Sequence, residues 1–216
     1  MRVLIPILQQ EILNDGTHEV SNPYGFDQKT KLRHLYKSLS TLEDSKLIFI
    51  LQKSDIAQHH LDSFVKNLNP SAEIIISQGH PMGPACCCLL ASDSFFDDEP
   101  LIVYNGDPII DVNMQDVVNC FVSKDYDGGV ICFGRSHPHF SFVKLNEDGF
   151  VIEAAEKHSI NQHAIYGFCY FKRTDDFLKA TISMIKKEAN INGMYYVCTA
   201  YNEMILQGKK IGVYHV

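Results

Sequence analysis

Short apolar runs alternate with amphipathic stretches along most of this chain. Val3 to Ile7, Leu47 to Leu51, Ile74 to Ile76, Leu101 to Tyr104 and Gly129 to Phe133 are rich in β-branched or aromatic residues, and several are too uniformly apolar to have a solvent-facing side. Such runs read as strands, several of them buried on both faces of a sheet. Between them, Lys29 to Leu39, Asp55 to Leu68, Pro84 to Ser94 and Met114 to Val122 repeat their apolar residues at the helical period, so each predicts a helix that packs by one face. Strand and helix in alternation predict βαβ units and a parallel sheet.

The last third changes character. Phe142 to Leu145, Phe150 to Ala155 and Tyr166 to Phe171 are strand-like, and Asn146-Glu-Asp-Gly149 predicts a hairpin turn between the first two. Helices are expected over Asp175 to Lys187 and Tyr195 to Gln207, then a closing strand from Ile211 to Val216. The expected fold is α/β, a mixed, mostly parallel sheet flanked by helices with an antiparallel addition. No internal repeat and no Pro/Ser-rich linker divides the chain, so residues 1–216 read as one domain. Residues 1–135 and 136–216 form two portions of it.

With 216 residues, 45% apolar and 21% charged, the chain has the make-up of an ordered globular protein. A formal charge of -7 argues against a general nucleic-acid binder, which needs a basic face to displace counterions. The N-terminal apolar run is too short for a signal peptide, and no segment has the roughly 20 apolar residues of a membrane span. The expectation is a cytoplasmic protein with no membrane partner; the sequence leaves a homo-oligomer open. The cysteine count is odd, 7, with no C-x-x-C pair, and Cys86-Cys87-Cys88 lie inside an apolar stretch, which favours buried reduced thiols over a disulfide or zinc framework. His59-His60 and His137-Pro-His139 lack the i, i+4 spacing of a helical metal pair.

The most informative stretch is Leu101-Ile-Val-Tyr-Asn-Gly-Asp-Pro-Ile-Ile-Asp111, where an apolar strand stops at a lone carboxylate, Asp107. Ligands of open α/β sheets bind at that rim. A carboxylate there suits a hard cation that also holds phosphates. Asn-Gly-Asp-Pro is equally a good turn sequence, and the two roles are compatible. Asp111 is a second acidic candidate or a helix cap. Glu156-Lys157 ends a predicted strand, where the ammonium could meet an anion, although a solvated pair is the ordinary role of such charges. Gly79-His-Pro-Met-Gly-Pro-Ala85 leads into a helix; Gly83 there would let a flat ligand approach the backbone, and Pro84 is also ordinary helix-start chemistry. Asn202 lies on a predicted helix, where a polar residue is usually exposed.

These segments together resemble the sugar-phosphate nucleotidyltransferases, in particular their small capsule-type members. The resemblance is carried by Ile48-Phe-Ile-Leu-Gln52, Gly83-Pro-Ala-Cys-Cys-Cys-Leu-Leu90, Asn105-Gly-Asp-Pro-Ile-Ile-Asp-Val112 and His137-Pro-His-Phe-Ser-Phe-Val-Lys-Leu145. It continues through Glu153-Ala-Ala-Glu-Lys157, Tyr166-Gly-Phe-Cys-Tyr-Phe171 and Asn192 to Glu203. It implies a Rossmann-like nucleotide-diphospho-sugar transferase fold and attack by a sugar phosphate, or similar phosphomonoester, on the α-phosphate of a nucleoside triphosphate. Magnesium (Mg2+) is the implied cofactor. By matched position, Asp107 and Asn202 are the implied metal ligands; Gly83, with Asn105 and Gly106, lies on the nucleotide side; Lys157 meets the phosphates. Glu156, Lys157 and Gly167 lie on the acceptor side, and Asp107 with Lys157 would carry catalysis by positioning and charge neutralisation.

The chain departs from the family at the front. Family members have G-x-G-x-R after the first strand and a P-K-P lysine soon after, whereas Ile7-Leu-Gln-Gln-Glu-Ile-Leu-Asn14 has neither glycine nor arginine and the lysine region reads Val20-Ser-Asn-Pro23. Losing one such preorganised stabiliser typically costs about 3 to 4 kcal/mol of transition-state binding. Lys29, Lys31 or Arg33 could supply a replacement cation. The alternative is a catalytically impaired relative that binds a sugar phosphate, a nucleotide sugar or a partner protein. A third reading, a GT-A-type glycosyltransferase, would want a D-x-D pair where this chain has Asn105-Gly-Asp107.

Overall fold

The computed structural model describes residues 1–7, 27–95, 98–105, 111–134, 140–156 and 163–216. In chain order the described elements are β1 (Arg2–Ile7), α1 (Gln28–Leu39), β2 (Lys46–Gln52), α2 (Lys53–His59), α3 (Leu61–Leu68), β3 (Glu73–Ser77), α4 (Pro84–Leu89) and a 3-10 turn at Ser92–Ser94. There follow β4 (Leu101–Tyr104), α5 (Met114–Ser123), β5 (Gly128–Gly134), β6 (Ser141–Leu145), β7 (Val151–Glu156), β8 (His163–Phe171), α6 (Thr174–Lys186), α7 (Ala200–Leu206) and β9 (Ile211–His215).

The strands form one mixed sheet in the order β3-β2-β1-β4-β8-β5-β9, with β6 pairing β7 and β8. β1 runs parallel to β2 and β4, β2 to β3, and β5 to β9; β8 is antiparallel to β4, β5 and β6. This is the expected α/β architecture. Alternation along the apolar strands divides the core in two. Leu4, Ile48, Ile50, Leu101, Val103, Val130 and Cys132 join the side holding α4, α6, α7 and the β6–β7 hairpin. Val3, Ile5, Leu47, Phe49, Leu51, Ile102 and Tyr104 join the side holding α1, α3 and α5. Because both faces are covered, no polar alternation is needed, which explains the uniformly apolar runs.

Three expected helices are interrupted. Asp55 to Leu68 is split at His60, which adopts the left-handed conformation (φ 52°, ψ 43°). Pro84 to Ser94 ends its α-helix at Leu89 and continues only as the 3-10 turn. Tyr195 to Gln207 becomes helical only at Ala200, because the backbone of Tyr195 is bonded to the Gly83 turn: Tyr195 N–H donates to Met82 O at 2.9 Å, and Ala85 N–H donates to Tyr195 O at 3.0 Å. The hairpin at Asn146 to Gly149 forms as expected, with Asn146 N–H donating to Phe150 O at 2.9 Å and Gly149 at φ 81°.

The seven cysteines are free thiols; Cys87, Cys88, Cys132, Cys169 and Cys198 are buried. Burial, assisted by Cys86 beside it, pushes the Cys87 thiol up to about 12, so it stays protonated and packs as a small apolar group. Among the described residues no helix is long and apolar enough to cross a membrane.

Candidate functional site

The sheet opens along β8. Over Phe168 to Phe171 this strand pairs with β4 on one side, and over Ala164 and Ile165 it pairs with β6 on that same side, leaving Tyr166 and Gly167 between the two partners. Along its other side β8 is bulged: from Val130 to Cys132 β5 advances two residues, while β8 runs from Cys169 to Ile165. A bulge re-aims a strand, and on the opposite side of β8 the gap between β4 and β6 lies just past the C-terminal end of β4. Ligands of open α/β sheets bind at strand ends of this kind.

Asn105, the first residue beyond β4, reaches into that opening. Its N–H donates to Gly167 O at 2.9 Å. Its side-chain amide lies directly over Gly167, since a Cβ added to that glycine would come 1.5 Å from Asn105 Oδ1. Two residues expected on opposite sides of the site therefore meet, and the absence of a side chain at 167 is what makes room for Asn105.

Gly83 serves differently. It caps α4 at φ 98°, and a Cβ there would lie 2.4 Å from the carbonyl oxygen of Tyr195 and 2.6 Å from its nitrogen. The direction a side chain would take is filled by backbone, so the glycine is required by chain-to-chain contact and by its left-handed φ.

Glu156 ends β7, in register with Ser141 of β6, which is in turn in register with Ile165 of β8. This row places the carboxylate two strands from β8 at the level of the opening. The Ser141 hydroxyl and the Cys198 thiol both donate to Glu156 Oε2, the thiol at 3.3 Å. Burial, then the charge of Glu156, raises the Cys198 thiol well above its ordinary value, so it remains a donor.

Asn202, on α7, has both ends of its amide engaged by one residue: Oδ1 accepts from Ala154 N–H and Nδ2 donates to Ala154 O, each at 2.8 Å. An amide oxygen has two lone pairs, so a cation could take only the one that remains. Asp107, Gly106 and Lys157 lie outside the described residues, as does the segment after β1 in which the family carries G-x-G-x-R. Among the described residues no three His, Cys, Asp or Glu side chains converge as a metal site. Of the cations proposed as replacements, Lys29 and Arg33 lie over the ring of Phe64 on α3, 5.8 Å and 5.2 Å from its centroid.

No protein-family model and no curated protein matches the sequence. Solved structures do match the fold. The nucleoside-diphosphate-sugar pyrophosphorylase from Vibrio cholerae RC9 superposes with a TM-score of 0.71 over 100% of this chain and 92% of that one, at 18% identity. The chain has the nucleotidyltransferase fold. A putative glucose-1-phosphate thymidylyltransferase from Bacillus anthracis shares that fold with a TM-score of 0.69 over 100% of this chain and 85% of its own, at 16% identity. The inositol-1-phosphate CTP transferase from T. maritima does so at 0.69 over 99% and 84%, with 12% identity. At such identities the likeness is one of architecture, and within this nucleotidyltransferase fold the site depends on the side chains present.

Sequence reasoning passed over Ser141, Tyr195 and Cys198, although all three lie within the segments that carry the family resemblance. A serine, a tyrosine and a buried cysteine carry no distinctive chemistry alone; their significance comes from Glu156 and Gly83, which are distant in sequence.

Proposed function

We propose that this protein is a nucleotidyltransferase joining a nucleoside monophosphate, taken from a nucleoside triphosphate, to a sugar phosphate or similar phosphomonoester, in the cytoplasmic synthesis of capsule or surface-glycan precursors. The observation that carries this reading is the meeting of Asn105 with Gly167 where the sheet opens at the end of β4. In the proposed reaction an acceptor phosphate oxygen attacks the α-phosphorus, a P–O bond forms, and the bond to the departing pyrophosphate breaks. Residues 1–135 would supply the nucleotide side, with Gly83, Asn105 and Gly106, and residues 136–216 the acceptor side, with Glu156, Lys157 and Gly167. The Lys157 ammonium would offset phosphate charge. Magnesium, held by Asp107 and by whatever Asn202 retains for it, would supply charge neutralisation when bound.

The test is magnesium-dependent pyrophosphate release from a panel of nucleoside triphosphates and phosphorylated acceptors, comparing wild type with Asp107→Ala. Release at least about a hundredfold above the variant is expected for loss of a group that stabilises the transition state. Equal rates in the two proteins would reject the reading.

One observation favours a second reading, a binding or regulatory relative without transfer activity. Lys29 and Arg33 face Phe64, and the segment that should cradle the triphosphate contains no glycine or arginine between Ile7 and Asn14. Melting shifts with acceptor or nucleotide sugar but no turnover would select this reading; turnover would eliminate it.

A further inference from the structure

The segment from Tyr195 to Asn202 makes contacts at three distant points of the chain. The Tyr195 backbone closes against Gly83, Cys198 reaches Glu156, and Asn202 engages Ala154. The last contact has a specific geometry. Among the described residues β7 pairs with β6 alone, so its other edge presents peptide groups that no described strand satisfies. A carboxamide carries the same donor and acceptor as a peptide, and Asn202 meets both the N–H and the carbonyl of Ala154 at 2.8 Å, where the next strand's peptide would be. Two residues further along β7, the Cys198 thiol and the Ser141 hydroxyl fix the Glu156 carboxylate through one oxygen. Asn202 and Cys198 are four residues apart, Cys198 just before α7 and Asn202 within it, so one rigid segment grips β7 at two points.

We propose that Asn202 and Cys198 are positioning residues: Asn202 clamps the open edge of β7 as a peptide mimic, Cys198 orients Glu156, and together they set the acceptor side of the cleft. The functional half of this assignment rests on the transferase reading above; the mechanical half does not. The clamp separates Asn202 from a simple metal ligand. Aspartate would improve a magnesium ligand, since the cation favours carboxylate oxygen. In the clamp the same change removes the donor to Ala154 O and sets a carboxylate against a carbonyl.

The experiment follows hydrogen exchange of the Val151–Glu156 amides, with Lys46–Gln52 as the remote control, in wild type, Asn202→Asp, Cys198→Ala and Cys198→Ser. In parallel it measures kinetics with glucose 1-phosphate and a nucleoside triphosphate panel. Repulsion between the new carboxylate and Ala154 O should push the Asn202→Asp side chain off β7, so exchange at Ala154 should quicken about tenfold, as weakening of its N–H bond by about 1.4 kcal/mol implies, while β2 is unchanged. The KM for glucose 1-phosphate should rise several-fold at an unchanged magnesium requirement. Cys198→Ala should raise the same KM, and Cys198→Ser, which keeps a donor, should restore it. Unchanged β7 exchange in Asn202→Asp, or a lowered magnesium requirement with KM intact, overturns the assignment. Should Asn202→Asp fail to fold, the cysteine pair decides through KM, and equal values for alanine and serine overturn it. If wild type itself gives no turnover, the transferase reading is what has failed, and the exchange of Cys198→Ala against Cys198→Ser and of Asn202→Asp still decides the clamp.

Discussion

Gly83 and Gly167 each leave room for another part of the chain, and each is glycine for a different physical reason. At Gly83 the missing side chain is replaced by the backbone of Tyr195, and the residue also adopts φ 98°. At Gly167 the φ is unexceptional and the space is taken by the mobile end of a side chain, the Asn105 amide. Backbone cannot yield, whereas an exposed asparagine can rotate. Substitution at the first should therefore damage the fold, and at the second the site.

The largest effect is expected at the rigid glycine. Gly83→Ala should lose about 2 to 5 kcal/mol, from a left-handed φ imposed on a side chain and from overpacking against Tyr195. Urea unfolding measures it, and a loss below 1 kcal/mol would mean that the Tyr195 contact is soft. Tyr201→Phe tests whether the rigidity continues along the same segment. The buried Tyr201 hydroxyl contacts the Gly129 carbonyl at 3.0 Å and the Tyr170 carbonyl at 2.8 Å, so its removal should cost about 1 to 3 kcal/mol. Gly167→Ala should change stability by less than about 1 kcal/mol, because Asn105 moves aside. On the proposed transferase reading it should nevertheless weaken use of the phosphorylated acceptor about tenfold or more, a separation that calorimetry and kinetics on one preparation would reveal.

The smallest effect concerns pH. Burial alone would raise the Glu203 carboxyl, but hydrogen bonds from Lys187 and Ser183 outweigh it and hold the group below its ordinary value of 4.5. A depressed carboxyl contributes stability that is fully present above the unfolded value and is lost as pH falls through the folded one. Wild type should therefore lose stability below about pH 4.5 more steeply than Glu203→Gln. Because this contact ties α7 to α6, the Gly83 side should loosen first, as exchange at Tyr195 would show.

Much of the fold was legible because sheet burial is written in the strands themselves. Leu47 to Leu51 and Leu101 to Tyr104 needed no partner to be recognised, and their alternate residues do divide between two cores. Helix limits were less legible. Tyr195 has a helical apolar period yet lies outside the helix, because its peptide groups are bonded to Met82 and Ala85, more than a hundred positions away. The site divides similarly. Gly83, Gly167 and Glu156 were singled out as candidates from motif order, whereas the reason for each glycine, and the donors on Glu156, belong to residues remote in sequence.

The amino-acid sequence by itself determined the alternation of buried strands and one-faced helices, and hence a mixed, mostly parallel α/β sheet. Only the tertiary structure decided that β8 bulges against β5 and passes from β4 to β6 at Tyr166 and Gly167, that Asn202 completes the edge of β7, and that Cys198 holds Glu156. The physical reason is range: apolar periodicity is a local property of the chain. A hydrogen-bond partner or an excluded Cβ is fixed only when distant segments are brought within a few ångströms of one another.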